Sequence, residues 1–443
     1  MRAGIGKAFQ SLTVRNYRLF TAGQIVKLIG VWMQFTAQDW LVLELSGNSA
    51  TALGIVTALQ FTPVLLLTLY GGKLADRYDK RRLLIGANAA FSFLTLGLGL
   101  LVVTGHITLG WVYVSAALIG IVNAIETPVR QSFVSELVGR ELLPNALSLS
   151  AATFNTARVI GPALGGLVIG LIGLSPVFLL NVVTYLAPAI TLWRMRPNEL
   201  HREPRAATKA SIRAGLRYVL RRDDLVMPIV LVMLIGMFGF NFQLTLPVLA
   251  KVVFSVDATQ FGLLTTALAL GSLGGALASS LRRVRPSAAL VAGAAVAFGA
   301  LEILVAFGPT FWVTALLLLP AGFFMIFFAQ SANQRVQLGT DAAYRGRVMA
   351  LYVLVFLGTT PIGALLTGWL SEHFGARSGV WVGGAASLLV AIAALTWQLR
   401  RSQSRLGLRF RPRPRFYVVA KAPALAEAGD AVASDAVPAG MLR

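Results

Sequence analysis

Apolar residues gather into twelve runs, at about 19–44, 51–71, 82–104, 108–129, 146–170, 174–194, 225–250, 259–281, 287–307, 311–334, 345–370 and 379–399. Each is near the length of about 20 residues that an α-helix needs to cross hydrocarbon. The polar gaps between them are short, with one exception at 195–224. Within that gap Ile212, Leu216, Val219 and Leu220 alternate with Arg213, Arg217, Arg221 and Arg222 on a helical period. This pattern predicts a short amphipathic helix lying on a membrane face. The first run is interrupted by Gln24, Lys27, Gln34 and Gln38 at helical spacing, with Asp39 at the edge of the stripe. Lipid does not tolerate such a stripe, so it is expected to face protein or water. Between the second and third runs, Gly71-Gly72-Lys73-Leu74-Ala75-Asp76-Arg77-Tyr78-Asp79-Lys80-Arg81-Arg82 carries five cations and two anions. It must be a tight loop outside the hydrocarbon.

Composition agrees. The chain is 56% hydrophobic and 13% charged, against about 25% charged in ordinary soluble domains. A formal net charge of +21 could suggest nucleic-acid binding, but its placement excludes that reading. With the N-terminus inside, 35 of the 39 Lys and Arg fall in cytoplasmic segments. Lys251 and Arg377 fall on the outer side, and Lys27 and Arg158 lie within runs. This positive-inside bias predicts both termini in the cytoplasm. Residues 1–18, with Arg2, Lys7, Arg15 and Arg18 among Phe9, Leu12 and Val14, read as an amphipathic arm. Residues 401–443 read as a basic, then disordered, tail. The first run is too long and too polar for a cleaved signal peptide. There are no cysteines, so disulfides and thiolate metal sites are excluded.

The pattern Gly-x-x-x-Asp-Arg-x-x-Arg-Arg, carried by Gly72, Asp76, Arg77, Arg81 and Arg82, resembles the loop between helices 2 and 3 of the major facilitator superfamily. The family usually has glycine where this chain has Asp79. The run Gly161-Pro162-Ala163-Leu164-Gly165-Gly166 resembles the helix 5 signature of exporters in that superfamily. More specific are Asn16-Tyr17-Arg18-Leu19-Phe20, Ala37-Gln38-Asp39-Trp40-Leu41, Pro128-x-Arg130-Gln131 and Arg345-Gly346-Arg347-Val348-Met349-Ala350-Leu351-Tyr352. Together they resemble the bacterial branch that contains enterobactin-type siderophore exporters and macrolide-efflux proteins, over about residues 10 to 400. The second half also repeats the first. Gly71-Gly72 recurs as Gly274-Gly275, Arg130 as Arg335, and Gly161 and Gly166 as Gly363 and Gly368, while Ser279 and Ser280 replace Asp76 and Arg77. The expected fold is all-α and integral to the membrane, with twelve transmembrane helices in two pseudo-symmetric six-helix bundles, 19–194 and 225–400, joined by the linker 195–224.

What the resemblance implies is export of a small amphiphilic compound, such as a drug, macrolide or siderophore, by proton antiport and alternating access. The implied partners are that substrate and membrane lipids, with no cofactor, no metal and no nucleic acid, and a monomer is expected. By this topology His106, His201 and His373 lie in loops, so a proton carrier inside the membrane must be a carboxylate. Asp39 is the favoured proton site, although it could simply hydrogen-bond neighbouring helices. Glu126 lies at the depth of Lys27, and a Lys27–Glu126 pair would be a gate or plain structure. Glu302, near the outer end of the ninth run, reads as snorkelling to the interface. Arg158 at mid-membrane needs a partner and is assigned to the path or gate, together with Gly161, Pro162, Gly165 and Gly166. Trp32, Gln34, Gln38, Asn123, Phe238, Asn241, Gln243, Gln330 and Asn333, with Lys27, are the candidate substrate wall, aromatic and amide in character as bulky amphiphiles require.

Three other readings stay open: a proton-independent importer or facilitator, a multispan membrane enzyme, and a transport-dead sensor. The helix 5 signature weighs against the first. No phosphate loop, His-Glu-x-x-His or Gly-x-Ser-x-Gly is present to support the second. The tail after residue 400 is too short and too simple for the output domain that a sensor needs.

Overall fold

A computed structural model describes residues 9–201, 212–282, 284–401, 404–409 and 415–420. The start of the expected N-terminal arm and the end of the tail lie outside the described residues. Six helices come first: α1 (Arg15–Leu45), α2 (Ala50–Arg77), α3 (Lys80–Val103), a helical run Leu109–Ile172, and α6 (Leu174–Trp193). The long run bends at Gly139, whose φ of 70° an L side chain rarely adopts, and so comprises α4 before the bend and α5 after it. The linker helix α7 (Ile212–Leu220) follows. Then come α8 (Asp223–Phe238), α9 (Phe242–Val248), α10 (Ala258–Ser280), α11 (Ala288–Ala306), α12 (Phe311–Gly339), α13 (Ala342–Gly358), α14 (Thr360–His373) and α15 (Ser378–Arg401).

Ten of these stretches are long and apolar enough to cross a membrane. One of the ten is the bent run, which counts as two spans. α1 is not among them, because its polar stripe lowers its hydropathy. Twelve spans result among the described residues, and two of them are broken. The seventh consists of α8, α9 and a π turn at Leu249–Val253, and the eleventh of α13 and α14.

The two halves pack in the same way. α2 crosses α4 at Gly71, and α10 crosses α12 at Gly275. α1 meets α5 at Gly161, and α8 meets α14 at Gly363. α3 lies on α6, and α11 on α15. The repeated glycines sit at these crossings because a side chain there would collide with the facing backbone. The second pair of the repeat joins the halves. A Cβ on Gly166 would lie 2.5 Å from the Ala258 carbonyl of α10, and one on Gly368 would lie 2.7 Å from the Ala50 carbonyl of α2. Small residues allow this close approach of helices.

The segment Asn16-Tyr17 explains its own presence. Tyr17 is fully buried and donates from its hydroxyl to the Ala146 carbonyl at 2.7 Å. Asn16 donates to the Arg196 carbonyl at 3.0 Å and accepts from its N–H at 3.1 Å, tying α1 to the chain leaving α6.

Residues 395–443 form a separate unit. Its described part includes an antiparallel hairpin of β1 (Ser404–Arg409) and β2 (Arg415–Ala420), with Leu406 opposite Val418 and Leu408 opposite Phe416. The sequence reading treats this stretch only as a basic tail. The run Phe416-Tyr417-Val418-Val419 is rich in aromatic and β-branched residues, which pairing in a strand favours.

Candidate transport cavity

Between the halves lies a cavity with two lobes of about 320 Å³ and about 350 Å³, which share Trp32, Phe35, Phe61 and Gln243 in their walls. The first lobe is lined by Asp39, Arg158, Phe240 and Asn241, among others. The second reaches Lys27, Asn123, Glu126 and Arg130. The halves touch at the face that carries Gly47, opposite the basic loops. There Glu372 of α14 accepts from the Ser49 hydroxyl at 2.7 Å and from the Thr51 N–H of α2 at 2.9 Å. Thr259 of α10 donates to the Gly166 carbonyl at 3.2 Å.

Two buried charges and one half-buried charge meet at the second lobe. Lys27 Nζ lies 2.7 Å from Glu126 Oε1, and Arg130 Nε lies 3.1 Å from the same oxygen. Lys27 is 4% and Glu126 3% exposed, so neither charge has water to fall back on. The Lys27 ammonium also stands over the Phe91 ring at 5.0 Å. Arg130 is the partner that pairwise reading of Lys27 and Glu126 leaves out, although its position four residues after Glu126 on one helical face signals it.

Asp39 and Arg158 have a different setting. Asp39 is 6% exposed at the wall of the first lobe, with no ion-pair or hydrogen-bond partner among the described residues. Arg158 lines the same lobe and places its guanidinium 5.5 Å from the Trp32 ring centre. The partner that a cation at mid-membrane needs is not a carboxylate here. Its companion is an aromatic ring, a cation–π contact.

The remaining expected wall residues divide. Gln34 faces the second lobe, and its Oε1 accepts from Asn181 at 3.1 Å. Gln38, Asn123 and Gln243 also line this lobe, and Asn241 lines the first. Phe238 does not line either lobe. The helix breaks after it, which turns Phe240 and Phe242 inward instead. Gln330 and Asn333 also lie off both lobes, and α12 contributes Met325 and Ile326 from one to two turns earlier. The two corrections have different causes. The break after Phe238 redirects the inward face of the seventh span, whereas on the unbroken α12 Gln330 and Asn333 share the inward face but lie one to two turns beyond the cavity. Glu302 corrects a third expectation. It is 3% exposed and turned into the protein, not toward the interface.

The motif loop holds its own bundle together. Arg81 donates to the carbonyls of Leu192 at 2.6 Å and Trp193 at 2.7 Å, capping the end of α6. Lys80 pairs with Glu136. Asp79 is the N-cap of α3 and accepts from the Arg82 N–H at 2.9 Å. Gly71, not Gly72, is the glycine pressed against a neighbouring helix; Gly72 faces open space. Asp76 and Arg77 are exposed, and Arg77 lies over the Tyr78 ring at 5.7 Å. In the other signature, Gly161 and Gly165 let α5 lie against Trp32 and Met33 of α1, and Pro162 lines the cavity.

Two pseudo-symmetric six-helix halves around a central cavity define a multi-pass membrane transporter of the major facilitator type, and not an enzyme. The chain belongs to the transmembrane secretion effector family, whose profile matches residues 7–416. It is 29% identical over 260 residues to the staphyloferrin A transporter of Staphylococcus aureus, a match that takes in 58% of this chain and 64% of that protein's length. It is 24% identical to the enterobactin exporter EntS of Citrobacter koseri over 81% of this chain and 86% of that one. It is also 24% identical to the multidrug efflux pump Tap of Mycolicibacterium fortuitum, over 83% and 91% of the two chains. A solved bacterial homologue of the lysosomal transporter Spinster, inward-facing and unoccupied, superposes with a TM-score of 0.69 at 14% identity, over 88% of this chain and 96% of that one. A bacterial homologue of ferroportin, also inward-facing, gives 0.68 at 17% identity, over 86% and 98%. This chain is thus an efflux transporter of the superfamily.

Proposed function

We propose that the protein exports a small amphiphilic compound bearing an acidic group, in exchange for protons, and that Asp39 carries the coupling proton. The observation that supports this reading is the pair of unmatched charges in one lobe. Arg158 offers a cation over an aromatic ring to a substrate anion, and Asp39 is a carboxylate elsewhere in the same lobe, with no cation paired to it among the described residues. Proton and substrate would then compete through charge, as antiport requires. The aromatic walls supply the apolar contact that a bulky compound needs. The siderophore-named relatives make a siderophore-like substrate the first to try. With the basic face in the cytoplasm, the contacts at the Gly47 face close the outer side and the cavity addresses the cell interior.

Efflux from energised vesicles with an imposed pH gradient tests the reading. Asp39→Asn, a mimic of the protonated form, is expected to abolish uphill efflux while substrate exchange persists. Uphill pumping at the parent's rate by Asp39→Asn would move the proton site elsewhere. Orientation is checked by topology reporters, expected outside at residues 106 and 373 and inside at 78.

A further inference from the structure

Glu302 is a buried carboxylate that the cavity does not use. It lies on α11 at 3% exposure, and its Oε2 has no hydrogen-bond partner among the described residues. The same is true of the hydroxyl of Ser387 on α15, which is 1% exposed. Both groups converge on one spot. A Cβ on Gly239 would lie 2.5 Å from Ser387 Oγ and 2.9 Å from Glu302 Oε2. A Cβ on Gly383 would lie 3.1 Å from Glu302 Oε1 and would collide with the Phe238 carbonyl. Gly239 and Gly383 therefore leave the room that the carboxyl occupies.

That spot is the break in the seventh span. α8 ends at Phe238 and α9 begins at Phe242. Asn241 bridges the gap by donating to the carbonyls of Met237 at 2.8 Å and Phe238 at 3.1 Å. The Phe298 ring sits beside Gly239 and meets Phe240 edge-on at 5.4 Å. The charged groups of the surrounding elements stand away from the carboxyl. Asp223 and Asp224 are in the first turn of α8, Lys251 is in the π turn after α9, and Arg335 is near the end of α12. Arg377, just before α15, is engaged with the carbonyls of Ala306 at 2.7 Å and Gly308 at 3.1 Å. Glu302 is the one titratable residue of α11.

An isolated carboxylate in such surroundings is costly, and the cost is removed by a cation or by a proton. One carboxyl, one hydroxyl and a carbonyl already engaged by Asn241 are too few oxygens to replace the hydration of a hard metal ion. A proton suits them. It would sit on a Glu302 oxygen and be donated to Ser387 Oγ or to the Phe238 carbonyl. We propose that Glu302, set against Ser387 at the break between α8 and α9, is a proton-binding site of the second bundle, distinct from Asp39.

The consequence runs through the break. Protonated Glu302 lets the break close around it as in this structure, whereas the charged form needs water and opens it. The far side of the break presents Phe240, Asn241 and Gln243 to the cavity. Proton binding at Glu302 and the shape of the cavity wall are then coupled in both directions. Only the use of that coupling in transport rests on the antiport reading; proton binding itself does not.

The test needs no transported compound, because the proton is the probe. Purified protein in lipid nanodiscs is titrated with acid and followed by infrared difference spectroscopy, and labelling of a cysteine at Gln243 is followed over the same pH range on the Cys-free background. A protonated-carboxyl C=O band and a pH-dependent labelling rate are expected in the parent. The pH-dependent labelling and the Glu302 component of the band should be lost in Glu302→Gln, where Asp39 still contributes its own component, and both should be kept in Asp39→Asn. Ser387→Ala should shift the frequency of the band, which serves as the test if Glu302→Gln does not fold. A band and a labelling profile unchanged in Glu302→Gln, or a band unmoved by Ser387→Ala, would overturn the proposal. Either outcome leaves the vesicle experiment on Asp39 free to succeed or fail by itself.

Discussion

Glu126 shows what a single residue can and cannot do in this protein. Two cations hold it at hydrogen-bond distance, so its charge is a fixed part of the first bundle. Removing it strands Lys27 at 4% exposure, and breaking a buried pair in this way costs about 3–5 kcal/mol. Glu126→Gln is therefore expected to lower the unfolding midpoint in detergent more than Lys27→Met does, since Arg130 still neutralises Glu126 in the second variant. Combining the two should recover part of the loss, and a double-mutant cycle without coupling would refute the pairing. Asp79 makes the complementary point. Its side chain caps α3, and aspartate and glycine are both accepted at an N-cap, their difference being a few tenths of a kcal/mol. The departure from the usual glycine in the motif leaves the cap in place.

At the level of elements, the crossings between α5 and α10 and between α2 and α14 decide which face is shut. Glu372 contributes there as an anion at the N-terminus of α2, an interaction with the exposed N–H groups of about 0.3–1 kcal/mol. Glu372→Gln should weaken the closure. The expected result is faster reaction of a cysteine at Thr36, buried in the cavity wall, with an impermeant maleimide added from the Gly47 face. An unchanged rate would show that the glycine crossings alone keep that face closed. The broken seventh and eleventh spans belong to this scale too. Their breaks turn Phe240 and Thr360 into the cavity wall, which a continuous helix would not do.

For the whole molecule the question is which of two arrangements prevails. The structure joins the bundles at the Gly47 face and leaves Asp76 exposed on the basic face. A carboxylate is favourable at a helix N-terminus, so Asp76 could latch the bundles on the basic face in the opposite arrangement, by meeting the start of α13 after Asp341. Asp341 is engaged here by the Tyr218 hydroxyl at 2.8 Å. If the latch exists, Asp76→Asn favours the present arrangement and slows labelling of the Thr36 cysteine from the Gly47 face, the reverse of the Glu372→Gln effect. Equal rates in Asp76→Asn and the parent would count against it.

The twelve spans, the repeat and the depth shared by Lys27 and Glu126 were legible in the sequence. Hydrocarbon imposes length and apolarity on every crossing segment, and the helical rise converts position into depth. The amphipathic period also placed a helix at Ile212–Leu220. What periodicity could not supply was the direction of side chains beyond a break. α8 ends just before Gly239, which lies against Phe298, Glu302 and Ser387, residues at least 59 positions away in the chain. Hence Phe238 was expected in the cavity where Phe240 lies. On the unbroken α12 it was the depth of the cavity that was missed, so Gln330 and Asn333 were expected where Met325 and Ile326 lie, and Glu302 was expected at the lipid interface. Tertiary packing alone decided these, because the burial of a carboxyl depends on which helices close over it, and no local pattern records that.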